Sequence, residues 1–189
     1  DSLESHALDT IRCGRGLCDE EAVKMTVREG LDRVKELISW GCPFDKDSRG
    51  QLLLVREGGH SQSRVLHAAG DRTGQAIVMT LASRARDQGV KLTRVEVAVD
   101  LVKEGDRCSG ALVLFKPGDL RYVRARKAVI LGTGGLGALY SRHTNPLSAT
   151  GDGLAMAMRA GARCADLEFI QFHPTAYFAP DSPAFLISE

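Results

Sequence analysis

The sequence lacks the features that mark a membrane protein or a secreted protein. Its apolar runs fall far short of the roughly 20 residues that a helix needs to span a bilayer. The first six residues, Asp1 to His6, also lack the basic and apolar regions of a signal peptide. We therefore expect a cytoplasmic protein with no membrane partner.

No block of charge of one sign is present. The 25 Lys and Arg residues are balanced by 24 Asp and Glu residues, and the two signs alternate along the chain. Nucleic-acid-binding surfaces are instead built from clustered basic residues. The charge pattern therefore predicts no nucleic-acid partner.

The sequence also lacks the cysteine spacings that are typical of metal sites and disulfide scaffolds. The five cysteines are an odd number without the short paired spacings of a zinc site or the density of a disulfide scaffold; they are Cys13, Cys18, Cys42, Cys108 and Cys164. We expect reduced thiols and no metal site. The one close pair, Cys13 and Cys18, has no second Cys or His pair nearby, and we interpret both as half-buried residues at helix ends.

What the sequence contains is the composition of a globular domain, with 43% hydrophobic and 26% charged residues. Apolar residues with a period near 3.6 predict helices in the first forty residues, with Asp19 as an N-cap and Gly41 at the end of the run. A further helix is predicted from Thr73 to Gly89 by the same criteria.

The period then changes to 2, which is typical of strands. Residues 95–101, 111–115 and 120–125 predict a three-stranded antiparallel meander. Residues 128–131 are apolar on both faces and predict a buried parallel strand. A short helix at 154–160 and extended chain at 163–177 complete the prediction.

Glycines follow the predicted buried strand. Gly132, Gly134 and Gly137 match G-x-G-x-x-G, the fingerprint of a dinucleotide site. That fingerprint needs a helix opening at the loop to receive a pyrophosphate, but Asn145 and Pro146 interrupt the chain soon afterwards. We therefore favour a narrower interpretation, in which the glycines let the backbone approach a flat ligand.

Three motifs carry a resemblance that covers essentially the whole chain. REGGHS at 56–61 with RVLHA at 64–68 resembles the signature loop of L-aspartate oxidases. ATGDG at 149–153 and LEFIQFHPT at 167–175 resemble motifs shared across the succinate dehydrogenase and fumarate reductase flavoprotein family.

The resemblance implies an α/β fold with α+β character. It would be part of a two-dinucleotide-binding FAD fold with a three-stranded β-meander. Residues 1–166 would form a partial FAD-binding domain that lacks the family's N-terminal βαβ unit, and residues 167–189 would begin the capping domain, which binds the substrate.

Two segments near the end of the chain are predicted to contact the substrate or the flavin. Gln171 and His173 share one face of an extended segment and could hold a carboxylate, although a histidine bonded only to a backbone carbonyl is the alternative. The resemblance implies that His173 binds a substrate carboxylate and that Gln171 lies beside the isoalloxazine. It also implies that Ser188 and Glu189 reach the substrate, with Ser188 in place of the family's threonine.

The acidic side chain at position 57, Glu57, predicts an amino-acid substrate. Family members that process plain dicarboxylates carry an apolar residue there, whereas a substrate with an α-ammonium group needs an acidic partner. The alternative is a surface salt bridge with Arg56 or Arg64, which would stabilise little.

The resemblance implies FAD as the cofactor. The strand backbone at Val97, Ala98 and Val99 would meet the adenine, and the loop backbone at Thr133, Gly134 and Gly135 would approach the flavin. Asp152 would contact the flavin nucleotide, with helix N-capping as the alternative. Met156 and Met158 are interpreted as core residues, and no catalytic step is assigned to His60 or His67.

The implied activity is oxidation of L-aspartate to iminoaspartate, with oxygen or fumarate as electron acceptor, in NAD biosynthesis. Quinolinate synthase is the candidate partner in that pathway. One alternative is a succinate dehydrogenase or fumarate reductase flavoprotein subunit, against which Glu57 argues. Another is a non-catalytic truncated fragment.

Overall fold

The computed structural model describes residues 1–95, 97–173, 175–179 and 185–187. Contacts within the chain divide it into two compact units, Asp1–Leu92 and Thr93–Ser188. The predicted domain boundary at residue 166 concerns the complete family fold and stays a prediction. None of the helices in the described ranges combines the length and apolarity that a bilayer crossing requires.

The first unit contains three helices and a short ribbon. Its helices are α1 (Leu3–Cys13), α2 (Glu20–Ser39) and α3 (Thr73–Asp87). Strands β1 (Leu54–Val55) and β2 (Val65–Leu66) pair antiparallel between α2 and α3 in the chain order.

Capping residues set the helix ends where the sequence predicts them. The Asp19 carboxylate accepts hydrogen bonds from the first-turn amides of α2, each at 3.0 Å. At the end of α3, Gly89 has φ 72°, and the N–H groups of Gly89 and Val90 bond to carbonyls of the last turn. Gly41 ends α2 in the same way, with φ 84°.

The core of the first unit lies under the ribbon. Its buried members are Cys42, Phe44 and Ala68, against which apolar residues of α2, α3 and the ribbon pack. Ala68 is only 1% exposed and lies two residues after β2. The core therefore fixes the end of the RVLHA segment, which is part of the motif that resembles the L-aspartate oxidase loop.

The second unit is built on the predicted meander. Strands β3 (Val97–Glu104), β4 (Arg107–Lys116) and β5 (Asp119–Arg124) form an antiparallel sheet in that order. Positive φ angles at Gly105 and Gly118 form the two tight turns.

Short elements follow the sheet. A 3₁₀ turn (Gly137–Leu139) precedes α4 (Asp152–Arg159), and β6 (Ala176–Tyr177) pairs antiparallel with β7 (Phe185–Leu186). The helix that a dinucleotide fingerprint requires does not open at the glycine loop, in agreement with the narrower interpretation. The extended chain after α4 is interrupted at Asp166, whose φ is 60°.

The predicted buried strand at 128–131 is wrong for this structure. These residues form no strand, and Ile130 is 92% exposed. A strand buried on both faces needs paired neighbours and a covering layer, and the described residues supply neither. The apolar sequence alone therefore did not produce a strand.

Two smaller predictions also need correction. Met156 is buried as predicted, at 2% exposure, but Met158 is 53% exposed and is not a core residue. Cys18 is half-buried as predicted, whereas Cys13 is exposed; both are free thiols, as are Cys42, Cys108 and Cys164.

Candidate functional site

The signature loop, residues 56–64, connects β1 to β2. Val55 pairs with Val65, and the Arg64 N–H donates to the Val55 carbonyl at 3.1 Å, which closes the base of the loop. Near its tip the His60 N–H donates to the Glu57 carbonyl at 3.2 Å. The loop is therefore a defined turn on the ribbon.

A buried ion pair joins this loop to α1. The Arg64 side chain is 7% exposed, and its Nη1 donates to Asp9 Oδ2 at 2.6 Å. The same Asp9 oxygen accepts the Ser61 N–H at 2.8 Å and the Ser61 hydroxyl at 2.7 Å. The Asp1 carboxylate accepts hydrogen bonds from the other two guanidinium nitrogens of Arg64, from Nε at 2.7 Å and from Nη2 at 2.8 Å. We call the contacts of Asp9 with Arg64 and Ser61 the loop clamp.

The clamp keeps the Asp9 carboxylate ionised. Hydrogen bonds from the Arg64 guanidinium and from Ser61 hold the pKa of the Asp9 carboxyl well below its ordinary value. Sequence reasoning missed this contact, because 52 to 55 residues separate Asp9 from its partners. An acidic residue on the packed face of an amphipathic helix was the one signal available.

Two histidines lie beside the clamp. His60 Nδ1 is 3.0 Å from Arg64 Nη1, and since arginine only donates, Nδ1 accepts and the neutral ring carries its proton on Nε2. The His6 ring lies 5.6 Å from the His60 ring. Burial, followed by the positive charge of Arg64, lowers the pKa of His6.

Glu57 contacts a histidine and not an arginine. Its Oε1 lies 2.7 Å from His67 Nε2, with the Glu57 side chain 54% exposed. The alternative prediction, a salt bridge from Glu57 to Arg56 or Arg64, is therefore wrong, because the observed partner is His67. The carboxylate stands at the surface of the first unit, where it can meet a ligand.

In the second unit, two separate groups of predicted FAD-binding residues line one pocket. A cavity of about 250 Å³ is lined by Val97, Ala98 and Val99 of β3 and by Asp152 and Arg159 of α4, among others. The structure therefore brings together two segments that the sequence separates by about fifty residues.

An ion pair holds these two elements together. Arg159 Nε donates to Asp100 Oδ2 at 3.1 Å, and its Nη2 donates to the Val99 carbonyl at 3.3 Å. The Arg159 guanidinium, followed by the Leu101 N–H, lowers the pKa of the Asp100 carboxyl. Neither Asp100 nor Arg159 was recognised from the sequence, where each is one charged residue among many.

The glycine loop, residues 132–137, packs on the start of α4. The Gly151 N–H donates to the Gly135 carbonyl at 3.2 Å. A Cβ atom on Gly153 would collide with the Thr133 side chain, so only glycine permits this approach. The backbone of Thr133, Gly134 and Gly135 is exposed. An uncovered backbone beside a pocket fits a flat dinucleotide such as FAD.

Asp152 is the first residue of α4 and not its N-cap. Gly151 occupies the cap position, and the Asp152 carboxylate accepts a hydrogen bond from the Thr150 hydroxyl at 2.8 Å. The N-capping alternative is therefore wrong. The exposed carboxylate lines the same pocket as Val97.

Gln171 and His173 are both exposed. His173 Nδ1 accepts the Thr175 N–H at 3.3 Å and lies 3.2 Å from the Thr175 hydroxyl. The neutral ring therefore carries its proton on Nε2, which can donate to a carboxylate. Thr175, and not a backbone carbonyl, is the observed partner, unlike the predicted alternative. Ser188 and Glu189 lie outside the described residues.

Comparison with known sequences identifies the family. The model of the family described as FAD binding domain matches residues 1–189. The chain is 46% identical to L-aspartate oxidase 1 of Ralstonia nicotianae over 100% of this chain and 37% of that protein. It is 43% identical to the L-aspartate oxidase of Streptomyces coelicolor over 94% of this chain and 31% of that protein. The chain thus spans about a third of the length of these relatives.

Comparison with solved structures identifies the fold. The Mycobacterium smegmatis Sdh1 complex in the apo form matches 100% of this chain and 34% of its own chain, with a TM-score of 0.84 and 33% identity. A flavocytochrome c3 fumarate reductase in an open conformation also matches 100% of this chain and 34% of its own chain, with a TM-score of 0.82 and 32% identity. The predicted mixed α/β flavoprotein fold and the predicted resemblance are confirmed. The chain belongs to the FAD binding domain family, and FAD is its cofactor.

Proposed function

We propose that this chain is a segment of an FAD-dependent L-aspartate oxidase. The enzyme oxidises L-aspartate to iminoaspartate, with oxygen or fumarate as the electron acceptor. The observation that carries the proposal is the signature loop, in which Glu57 stands at the surface as an ionisable partner for an ammonium group. Identity of 46% to an L-aspartate oxidase over the whole chain supports it.

Charge matching is the physical reason for assigning Glu57 to the substrate amine. The α-ammonium group of aspartate loses hydration when it enters a pocket, and without an anion nearby this desolvation is costly. The Glu57 carboxylate offsets that cost. A plain dicarboxylate such as fumarate has no ammonium group and gains nothing from Glu57.

His173 is proposed to hold a substrate carboxylate. Its Nδ1 accepts from Thr175, which leaves the Nε2 proton to donate to an oxygen of the substrate. Gln171 is proposed to lie beside the isoalloxazine. Ser188 and Glu189 are proposed to contact the substrate on the strength of the motif resemblance alone.

The cofactor is proposed to lie against two surfaces of the second unit. Val97, Ala98 and Val99 would meet the adenine, and Asp152 on the same pocket would contact the nucleotide. The exposed backbone of the glycine loop would approach the flavin. FAD, when bound, supplies the acceptor for the two electrons removed from the substrate.

The product and its location follow from the same proposal. Iminoaspartate would enter NAD biosynthesis, with quinolinate synthase as the candidate enzyme that consumes it. A cytoplasmic location stays a prediction from the sequence.

The second candidate function is that of a succinate dehydrogenase or fumarate reductase flavoprotein. The structural matches favour it, since one of them is a fumarate reductase and the other is an Sdh1 complex. Its substrates have no ammonium group and give no role to a carboxylate at position 57. The two functions are therefore separated by the behaviour of Glu57.

A charge-removing substitution tests the proposal in the full-length protein. Glu57→Gln is expected to lower kcat/KM for L-aspartate by roughly ten- to a hundredfold, because one charge-assisted contact of about 1.5–3 kcal/mol is lost. Fumarate reduction with a reduced dye as electron donor should change little. Both rates are measured on flavin-loaded enzyme.

The matched control is Glu29→Gln, which removes an exposed carboxylate from α2 in the same unit. It should leave both reactions unchanged. Equal losses in the two reactions with Glu57→Gln would remove the assignment of Glu57 to the amine.

A further inference from the structure

The backbone of His67 is held on both sides. Its carbonyl accepts the Asp45 N–H at 2.8 Å, and the Asp45 carboxylate accepts the Ala69 N–H at 2.9 Å. Between them, Ala68 is buried in the core and donates its N–H to the Thr73 hydroxyl at 3.1 Å. These contacts fix where the His67 ring begins, independently of the signature loop.

Glu57 is held less firmly, by one backbone contact in which its carbonyl accepts the His60 N–H at 3.2 Å. It precedes the Gly58-Gly59 pair, and among the described residues its side chain makes a hydrogen bond only with His67. The ribbon register does not impose this contact, because Leu54 pairs with Leu66 and the next position along would place Leu53 beside His67. Glu57 and His67 are therefore not cross-strand partners, and their contact depends on the orientation of the two side chains.

The contact leaves one carboxylate oxygen available. Oε1 is taken by His67 Nε2 at 2.7 Å, whereas Oε2 accepts no hydrogen bond from the described part of the chain. The contact therefore orients the carboxylate and leaves Oε2 for a cation.

We propose that His67 is a positioning residue that orients the Glu57 carboxylate toward the substrate ammonium and so contributes to selectivity for an amino dicarboxylate. This inference rests on the proposed function and deepens it. His67 touches neither the substrate nor the reacting atoms in this role. Its effect is exerted through Glu57, because an unanchored carboxylate on a Gly-Gly loop would sample many orientations, few of which face the ligand.

Acting through Glu57 has a specific consequence for substrate dependence. Loss of His67 should weaken the binding of L-aspartate and leave fumarate unaffected, since fumarate has no group that pairs with Glu57. A residue that merely supported the loop or the core would affect both substrates. The KM for the two substrates therefore distinguishes positioning from general support.

The test uses three variants of the full-length, flavin-loaded protein. His67→Leu is expected to raise the KM for L-aspartate by roughly five- to tenfold, the net effect of one ordinary hydrogen bond that no longer orients Glu57, with the KM for fumarate unchanged. His67→Gln keeps an N–H donor and should recover most of the loss. With Glu57→Gln as background, His67→Leu should cause no further rise, because the group it positions is no longer charged.

The outcomes separate this inference from the proposed function. Aspartate turnover that responds to Glu57→Gln but not to His67→Leu overturns the inference alone. Equal KM changes for both substrates, or additive effects in the double variant, also overturn it. A wild-type protein without aspartate turnover contradicts the proposed function and the inference together.

Discussion

Single residues in this chain matter through the proton or charge that they present. His173 is the clearest example, because the Thr175 N–H occupies Nδ1 and fixes the proton of the neutral ring on Nε2. Aspartate and fumarate both carry the carboxylate that this proton would bind. His173 therefore differs from Glu57, which is proposed to meet a group that only aspartate has.

This difference gives a prediction for His173→Leu in the full-length protein. Both L-aspartate oxidation and fumarate reduction should fall by roughly tenfold or more, because each substrate loses a hydrogen bond to its carboxylate. The protein should remain yellow, since the proposed FAD contacts lie at other residues. Steady-state rates and the flavin absorbance are measured on the same preparation. A colourless, unfolded protein would instead identify His173 as a structural residue.

At the scale of elements, the loop clamp ties the signature loop to α1. Asp9 and Arg64 are both nearly buried, and their charges satisfy each other and Ser61. Removing one charge would leave the other without its partner in a site with little water, which is destabilising. The conformation of the loop that carries Glu57 therefore depends on a residue of α1.

The clamp predicts a pH-dependent contribution to stability. Because the folded-state pKa of Asp9 lies well below its ordinary value of 3.8, the clamp stabilises the fold fully above that pH. The stabilisation is lost as the pH falls below that value and the carboxyl becomes protonated. Asp9→Asn carries no charge at any pH and cannot pair with Arg64. Its Tm should therefore be lower than that of the wild type at pH 7.

The gap in Tm between wild type and Asp9→Asn should narrow as the pH is lowered below about 3.8. Thermal unfolding followed by circular dichroism across this range measures it. Asp32→Asn is the control, because within the described ranges Asp32 forms only an exposed pair with Lys35 at 3.5 Å. A gap that stays constant with pH would mean that the clamp does not hold the Asp9 charge.

Local signals in the sequence predicted the main helices and the three-stranded meander, but not the contacts between elements. Asp19 and Gly89 identified helix ends, because caps depend on neighbours within a few residues. The apolar run around Ile130 failed, because a buried strand needs partners that local sequence does not specify.

The site shows the same division between local and long-range information. The motif containing Glu57 was recognisable, but its contact with His67 depends on how the ribbon folds, and the Asp9–Arg64 pair depends on how distant segments fold together. The sequence placed Asp152 correctly at the start of a helix, its alternative role as the N-cap is wrong, and its contact with the flavin nucleotide stays a prediction. Side-chain partners follow from the three-dimensional arrangement, which no spacing in the sequence encodes.

At the scale of the whole molecule, the chain combines an FAD-binding fold with a loop that is proposed to meet an amino-acid substrate. The fold is shared with succinate dehydrogenase and fumarate reductase structures, so it does not by itself select a substrate. The signature loop is the part that is proposed to select the substrate. The two proposed functions therefore differ in which dicarboxylate donates electrons.

The most direct test compares L-aspartate with succinate as electron donor for the full-length, FAD-loaded protein, following peroxide formation in air. L-aspartate should produce peroxide, with kcat/KM at least about tenfold above that for succinate, because the ammonium pairs with Glu57. Preferential oxidation of succinate, with no peroxide formed from L-aspartate, would contradict the assignment of this chain to an L-aspartate oxidase.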